Sequence, residues 1–308
     1  VSRSLYAHNY VVWGGCMAEV PEVGAFLLGA PKCGTTWLAE ALTQHPEICV
    51  SDPKEPNIVA SHKGTFGRDV SEPNWAAYAD CFNGEGLRID CSVHAMACPV
   101  APSRVANNWP DARLIICLRE PVSRTVSHWN MILDTKEDEE NGTDWSDFGE
   151  AWADSRLSAD TLYGAGVARW LHHFDRESIF LIEASRMRHD PSKVLEDVCD
   201  HLSLSSHLFD LESVQNANTA ADRRPMTVFG RLFRFISSLL PGFIKGPIVR
   251  RLQTRGVNVY KMPVLSNKAP AKREITESQR NLLAKEVNAD LALLEESMGF
   301  DCSKWHIQ

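Results

Sequence analysis

Several features that mark other classes of protein are missing from this sequence of 308 residues. No segment reaches the apolar length of a membrane-spanning helix, so we expect no stable membrane insertion. Positive charge is not in excess: the net charge is −8, which argues against a nucleic-acid partner and weakens the case for a long polyanionic glycan. No group of cysteines and histidines has zinc-site spacing, so we expect no metal.

The sequence also lacks the pattern of a disulfide framework, although it contains nine cysteines. The number is odd, and several cysteines lie within apolar runs, as Cys49 and Cys117 do. This pattern is typical of reduced, buried thiols and predicts a cytoplasmic protein. The composition, 44% hydrophobic and 23% charged, fits a large α/β domain with an ample core.

The stretch Ala25–His45 has the pattern of a strand, a tight loop and a helix. The apolar run Ala25–Leu28 predicts a buried strand, Gly29–Gly34 a loop, and Thr35–Leu42 a helix. The free N–H groups in the first turn of a helix, together with the helix dipole, attract anions. The stretch therefore predicts an anion-binding loop.

This loop differs from the phosphate loop of nucleoside triphosphatases. That motif needs a lysine directly after its second glycine, followed by Ser or Thr. Here Thr35 follows Gly34, and Lys32 lies two residues before Gly34. We therefore expect the backbone, Lys32, Thr35 and Thr36 to hold a phosphate-like group without a magnesium site. The same spacing argues against a kinase that uses ATP and magnesium.

A second polar motif follows the apolar run Arg113–Leu118, which has the composition of a central parallel strand. Arg119 stands at the end of this run, and Ser127 lies in the helix that should come next. Arginine offers a fork of donors that suits phosphate, and serine adds a hydroxyl group.

Together the motifs resemble those of sulfotransferases that use 3′-phosphoadenosine-5′-phosphosulfate (PAPS), including the heparan-type enzymes and their bacterial relatives. Pro31–Leu38 is similar to their 5′-phosphosulfate loop, P-K-x-G-T-T-x-L, and Arg119–Ser127 is similar to their signature R-x-P-x-x-R-x-x-S. The resemblance implies a P-loop-like α/β fold in three layers, with a central parallel sheet and a helical C-terminal region. It also implies PAPS as donor and 3′-phosphoadenosine-5′-phosphate (PAP) as product.

The resemblance implies roles for the residues of both motifs. Lys32 would stabilise charge on the leaving phosphate, Arg119 and Ser127 would grip the 3′-phosphate, and Arg124 would brace the loop. In heparan-type relatives a basic loop corresponding to 261–273 closes on that phosphate. The expected cofactor-binding residues are Pro31, Lys32, Cys33, Gly34, Thr35, Thr36, Trp37, Arg119, Ser127, Lys268, Lys272 and Arg273.

The resemblance also suggests which residue removes the proton from the acceptor. Relatives carry a K-E-x-x-F-F-like segment whose Glu is the general base, and Glu55 occupies that place. Asn57–Val59 replaces the aromatic pair, so the substrate wall should differ. His94 lies in a D-x-S-x-x-Y-like segment and is the alternative base, since histidine is the commonest general base. A buried, hydrogen-bonded structural histidine is an equally good interpretation of His94.

The resemblance extends with gaps over residues 25–305 and predicts one domain over 1–308. Residues 25–202 would form the sheet-bearing cofactor core, and 203–308 a helical and loop region that closes over the site. The pattern predicts an acidic loop at Lys136–Gly142 and basic amphipathic helices within 227–253. It predicts a last helix from about Ile275 to Met298, with a buried face of Leu282, Leu283, Val287, Leu291 and Leu294.

We expect transfer of a sulfuryl group from PAPS to a hydroxyl or amine of a small-molecule acceptor, such as a natural product or toxin. The negative net charge and the acidic segment favour a neutral or cationic acceptor. Two alternatives remain open from the sequence: a heparan-type glycan sulfotransferase that has lost an anchor, and a non-catalytic module that binds phosphonucleotides. The sequence does not name the acceptor or an oligomeric state.

Overall fold

The computed structural model describes residues 19–214 and 272–308 and places a five-stranded parallel sheet at their centre. The strands of this sheet are β1 (Ala25–Gly29), β2 (Ile48–Val50), β5 (Leu87–Asp90), β6 (Arg113–Leu118) and β7 (Ile179–Glu183). A separate antiparallel pair consists of β3 (His62–Lys63) and β4 (Gly67–Arg68). The sheet order is β2-β5-β1-β6-β7, so β1 lies in the middle.

The composition of the strands explains their positions in the sheet. Every residue of β1 is buried, and so are Leu114–Leu118 of β6. Parallel strands with helices on both faces need such near-continuous apolar runs. Ala25 pairs with Ile89 on one side and with Arg113 on the other. The predicted α/β fold with a central parallel sheet is confirmed.

Helices follow most of the strands. They are α1 (Thr35–Leu42), α2 (Trp75–Ala79), α3 (Ala101–Asn108), α4 (Pro121–Thr135), α5 (Glu137–Glu140), α6 (Phe148–Ala153), α7 (Ser155–Ser158), α8 (Tyr163–Leu171), α9 (Arg186–His189), α10 (Pro191–His201), α11 (Leu211–Val214) and α12 (Glu277–Met298). Sequence signals set several boundaries: the Glu120 carboxylate accepts from the N–H groups of Val122 and Ser123 at the start of α4, with Pro121 in the first turn.

The order of the strands fixes where a ligand site can form. The chain leaves β1, reaches β2 at the sheet edge, returns to β5 beside β1, and then crosses to β6 on the other side. In open parallel sheets, ligands bind beyond the carboxyl ends of the strands, where the order of the strands reverses. The segments that follow β1, β5 and β6 therefore meet at one edge.

The C-terminal helix α12 packs across α8 at a close crossing. The Asp290 carboxylate of α12 accepts hydrogen bonds from the backbone N–H groups of Gly164 and Ala165, both at 2.7 Å. Gly164 permits this approach, because a Cβ atom there would lie 2.2 Å from the backbone oxygen of Asp290. The last element of the described chain is thereby fixed to the core.

Two local expectations are wrong. Leu282 is 55% exposed, because the face of α12 that meets the core runs through the sequence Leu283, Val287, Leu291, Leu294 and Met298 instead. The acidic segment Lys136–Gly142 contains a short helix rather than only a loop: Asp138 is buried, and its carboxylate accepts from the Trp145 N–H at 3.0 Å. The basic stretch 227–253 and Lys268 lie outside the described residues.

Candidate active site

The loop between β1 and α1 has the backbone of an anion-binding turn. Lys32 and Gly34 both have positive φ, 73° and 87°, and Gly34 is the N-cap of α1. No side chain of the described residues caps α1, so no side chain there competes with an anion for the first N–H groups of the helix. The Ala30 N–H donates to the Cys117 carbonyl oxygen at 2.8 Å and fixes the loop to β6.

Two cations from separate motifs meet at this loop. The Lys32 side chain passes over α4, with its Nζ 3.7 Å from Met131 Sδ. Arg119, at the end of β6, directs Nη1 toward the Lys32 carbonyl oxygen at 3.5 Å. The Tyr163 hydroxyl donates to the Arg119 carbonyl oxygen at 2.8 Å and holds the end of the strand. The structure therefore brings the predicted Lys32 and Arg119 together.

A cavity of about 440 Å³ opens beside the loop. Lys32, Arg119 and Arg188 supply three cationic side chains to its lining. Its other lining residues are Cys33, Gly34, Trp37, Ala184, Met187, Pro191 and Leu211, none of which is acidic. Cationic groups at a helix N-terminus, next to the flat Trp37 ring, suit a nucleotide that carries two phosphate groups.

The Cys33 thiol has a packing role in the loop rather than a chemical one. Burial raises the pKa of Cys33 to about 11, against the opposing attraction of Arg124. Its Sγ lies 3.8 Å from the Tyr163 hydroxyl. A thiol with so high a pKa stays protonated and is a poor nucleophile at neutral pH. Within the described residues all eight cysteines are free and buried, as the sequence predicts.

Three further cofactor-binding candidates, Ser127, Lys272 and Arg273, lie on or near α4. Ser127 is partly exposed on α4. Arg273 is fixed to the same helix, because its Nη1 donates to Asp134 Oδ1 at 2.8 Å and its backbone N–H donates to Asn130 Oδ1 at 2.8 Å. Lys272 is exposed beside it. The described residues resume at 272, and Arg273 contacts α4 at Asn130 and Asp134, which follow Ser127 on that helix.

Glu55 lies in a segment that is fastened at both ends. The Ser51 hydroxyl donates to the Lys54 carbonyl oxygen at 2.8 Å, and the Asn57 N–H donates to Ser92 Oγ at 3.0 Å. The Glu55 carboxylate accepts from Lys54 Nζ at 2.8 Å, and a third of the Glu55 side chain is exposed. The segment is therefore held against the exit from β5, where His94 also lies.

His94 belongs to a buried polar cluster. Its Nδ1 lies 3.1 Å from Asp160 Oδ2, which is also 3.9 Å from Arg124 Nη1. His128 adds a second ring, whose Nε2 lies 2.9 Å from Thr65 Oγ1. The pKa of His128 is held well below its usual range by burial and by Arg124. His128 is therefore neutral at neutral pH.

Sequence reasoning missed Asp160 and Arg188. Arg188 stands in a short basic run with Arg186, and only the fold shows that Arg188 lines the cavity while Arg186 pairs with Asp197. Asp160 has no local signal, since its partners come from 66 and 36 positions earlier in the chain. The four-residue spacing of Arg124 and His128 could have placed those two on one helix face.

Comparison with known proteins settles the family. Residues 24–221 match the family described as the sulfotransferase domain, which is more than half of the chain. The chain belongs to the sulfotransferase domain family. Both motifs, Pro31–Leu38 and Arg119–Ser127, lie inside the matched region of the sulfotransferase domain.

Named relatives are similar at low identity. Mouse heparan sulfate glucosamine 3-O-sulfotransferase 3B1 is 25% identical over 204 residues, which are 64% of this chain and 50% of that protein. Mouse bifunctional heparan sulfate N-deacetylase/N-sulfotransferase 4 is 24% identical over 59% of this chain and 22% of its own length. The chain thus spans about half the length of the first of these relatives, and less of the second.

A solved structure shows the same fold. The sulfotransferase from Alicyclobacillus acidocaldarius superposes with a TM-score of 0.60 at 21% identity, and the match covers 93% of this chain and 99% of that one. At this identity the likeness shows the α/β architecture of the sulfotransferase domain, whereas the chemistry has to be argued from the site.

Proposed function

We propose that this sulfotransferase domain transfers a sulfuryl group from PAPS to a hydroxyl or amine of a small-molecule acceptor. The observation that carries the proposal is the meeting of two distant motifs at one cavity, where Lys32, Arg119 and Arg188 lie beside the N-terminus of α1. A donor with charged groups at both its 5′ and 3′ positions needs such a two-ended set of cations.

The roles follow from the chemistry of the side chains. The bound PAPS supplies the sulfuryl group, and PAP is the product. Lys32 and the N–H groups of residues 33–36 stabilise the negative charge that grows on the 5′-phosphate side. Arg119 and Ser127 would hold the 3′-phosphate, and Trp37, which lines the cavity, would face the nucleoside. Binding and electrostatics therefore provide most of the catalysis, as in phosphoryl transfer.

A base must accept the proton of the acceptor as the new bond to sulfur forms. Glu55 and His94 are the two candidates, and both lie on segments at the exit from β5.

The rest of the chain closes the site: we propose one domain over 1–308, in which 25–202 carry the cofactor and 203–308 cover it. Leu211 in the lining of the cavity supports the covering role.

The charge near His94 favours neutral or cationic acceptors. Glu137 is half-buried, and burial raises the pKa of its carboxyl while His94 opposes this shift. The neighbouring residues 138–140 are also acidic. A polyanionic chain entering on this side would meet repulsion.

The test uses PAPS labelled with sulfur-35 and four groups of acceptors: phenols, aliphatic alcohols, amines and an N-sulfated glucosaminoglycan. The last group is included because named relatives act on heparan sulfate glucosamine. We expect labelled product from small neutral or cationic acceptors. Turnover on the glycan alone would replace the small-molecule acceptor by a glycan, and no turnover on any acceptor would refute the proposal.

A further inference from the structure

Asp160 is a buried carboxylate that none of the sequence motifs explains. Its side chain is 4% exposed, and Oδ2 faces His94 Nδ1 at 3.1 Å and Arg124 Nη1 at 3.9 Å. A buried ionised carboxylate is costly unless it is paired and hydrogen-bonded. Asp160 meets this condition, because its Oδ2 faces an imidazole within hydrogen-bond distance and a guanidinium.

The cluster lies directly beside the phosphate-binding loop. The Met96 N–H donates to the Leu28 carbonyl oxygen at 2.8 Å, which ties the segment after β5 to the end of β1. A Cβ atom on Gly29 would lie only 2.5 Å from the Val93 carbonyl oxygen. Val93, the residue before His94, therefore lies close to Gly29 at the start of the loop. The segment that contains Glu55 is bonded to the same stretch through Ser92.

Asp160 is ionised in the folded protein. Burial by itself raises the pKa of this carboxyl, but the attraction and hydrogen bond of His94 and the charge of Arg124 outweigh burial and lower the pKa to about 2. Arg124 is itself fixed, because its Nη2 donates to the Leu157 carbonyl oxygen and to His128 Nδ1, both at 3.2 Å. A fixed positive charge therefore lies beside the carboxylate, whose hydrogen bond is to His94.

The two histidines of the cluster, His94 and His128, differ in which ring nitrogens already have hydrogen-bond partners. Since Arg124 donates to His128 Nδ1, the proton of neutral His128 is on Nε2, which donates to Thr65 Oγ1. Both nitrogens of His128 are thereby used. In His94 the partner among the described residues is on Nδ1, and an ionised carboxylate there requires an N–H at Nδ1. In the neutral form of His94, the form that can accept a proton, the lone pair is then on Nε2.

We propose that Asp160 is a positioning residue that orients His94 and fixes its tautomer, so that Nε2 of His94 takes the proton of the acceptor. This inference rests on the proposed sulfuryl transfer. As the bond from acceptor oxygen or nitrogen to sulfur forms and the bond from sulfur to the 5′-phosphate oxygen breaks, the proton passes to Nε2. Asp160 stabilises the His94 imidazolium until His94 releases the proton to solvent. Glu55, already paired with Lys54, would shape the acceptor site.

The test compares Asp160→Asn, His94→Asn and the double variant, with the acceptor that the wild-type protein turns over fastest. Each single variant should lower kcat about 100-fold, the usual size of a general-base effect, while the Kd for PAP stays unchanged. The double variant should lose no more than the single ones, because Asp160 acts through His94. Glu295→Gln is the matched control, since the Glu295 carboxylate also holds a backbone N–H group, that of Cys302 rather than one of α8, but lies outside the cavity lining, and its kcat should match wild type.

Nitrogen-15 NMR of labelled histidine gives a second readout that needs no acceptor. The wild-type protein should show His94 protonated at Nδ1, and Asp160→Asn should lose this tautomer because the amide can donate to Nδ1. If Asp160→Asn fails to fold, His94→Asn and the wild-type spectrum decide. Unchanged kcat in His94→Asn, additive losses in the double variant, or an Nε2–H tautomer in the wild type would each overturn the inference while leaving the transferase intact. An absence of turnover by the wild type would instead overturn the proposed function.

Discussion

Arg119 shows how a single side chain depends on its position at the end of a strand. Five buried residues precede it in β6, and Tyr163 holds its carbonyl oxygen, so the guanidinium has a defined direction toward the loop. Arg188 comes from another element and faces the same cavity. Two guanidiniums and one ammonium can neutralise a nucleotide with separate 5′ and 3′ groups better than one strong cation can.

We predict that Arg119→Ala weakens PAP binding selectively. A hydrogen bond to a charged group contributes about 1.5–3 kcal/mol, so the Kd for PAP should rise about 10- to 100-fold. Adenosine 5′-phosphate lacks the 3′-phosphate and should bind almost as before. Isothermal titration with the two nucleotides measures the difference. Arg176→Ala is the control, since Arg176 donates to the Met298 carbonyl oxygen away from the cavity lining. Equal losses for both nucleotides would contradict the assigned role.

At the scale of elements, the crossing of α8 and α12 connects the C-terminal part of the chain to the cluster beside the active site. Asp160 lies three residues before the start of α8, and Asp290 of α12 holds the N–H groups of Gly164 and Ala165 in the first turn of that helix. A shift of α8 would therefore move Asp160 relative to His94. The packing of the last helix is thus part of what fixes the site.

Gly164→Ala should destabilise the fold, because the added Cβ would lie 2.2 Å from the backbone oxygen of Asp290 and backbone atoms cannot yield as a flexible side chain does. We expect a loss of about 1–3 kcal/mol in the free energy of unfolding, measured with urea. Gly166→Ala on the same helix is the control: its Cβ would meet the flexible Met96 side chain at 3.2 Å. If both variants lost equal stability, the close crossing would not be the cause.

The elements that the sequence predicted best are those set by local pattern. The strand Arg113–Leu118 and the loop before α1 follow from apolar runs and glycine positions. Leu282 was assigned to the wrong face, because adjacent leucines leave the phase of a helix ambiguous. Asp160 was missed because its partners, His94 and Arg124, come from distant segments of the chain. The loop and Arg119 were found because both stand directly beside a strand end.

On the scale of the whole molecule, net charge and local charge differ in sign. The chain carries a net charge of −8, yet the cavity beside the loop is lined by Lys32, Arg119 and Arg188. The acidic residues of the segment Glu137–Glu140 are absent from that lining. The fold thus gathers cationic side chains at this cavity in a chain whose net charge is negative. Within the described residues no helix is long and apolar enough to cross a membrane.

Stability should decrease in mild acid because the fold holds imidazoles in the neutral state. Burial, with Arg68, lowers the pKa of His62 from 6.5 to about 4. A depressed pKa contributes stability that is present above pH 6.5 and is lost progressively as the pH falls toward 4. His62→Gln should therefore flatten the pH dependence of urea unfolding within this window, whereas exposed His189→Gln should not. An unchanged slope in His62→Gln would show that His62 is not held neutral.

The most direct test of the account is the rate of sulfuryl transfer by wild type and Lys32→Ala. With PAPS and the best acceptor, mass spectrometry should find the acceptor heavier by one sulfuryl group and PAP formed in equal amount. Lys32→Ala should lower kcat about 100- to 1,000-fold, as removal of a preorganised donor to a developing charge does, while the surface variant Lys193→Ala keeps the wild-type rate. A wild-type protein that forms no sulfated product, or a Lys32→Ala variant with full kcat, would contradict the central claim.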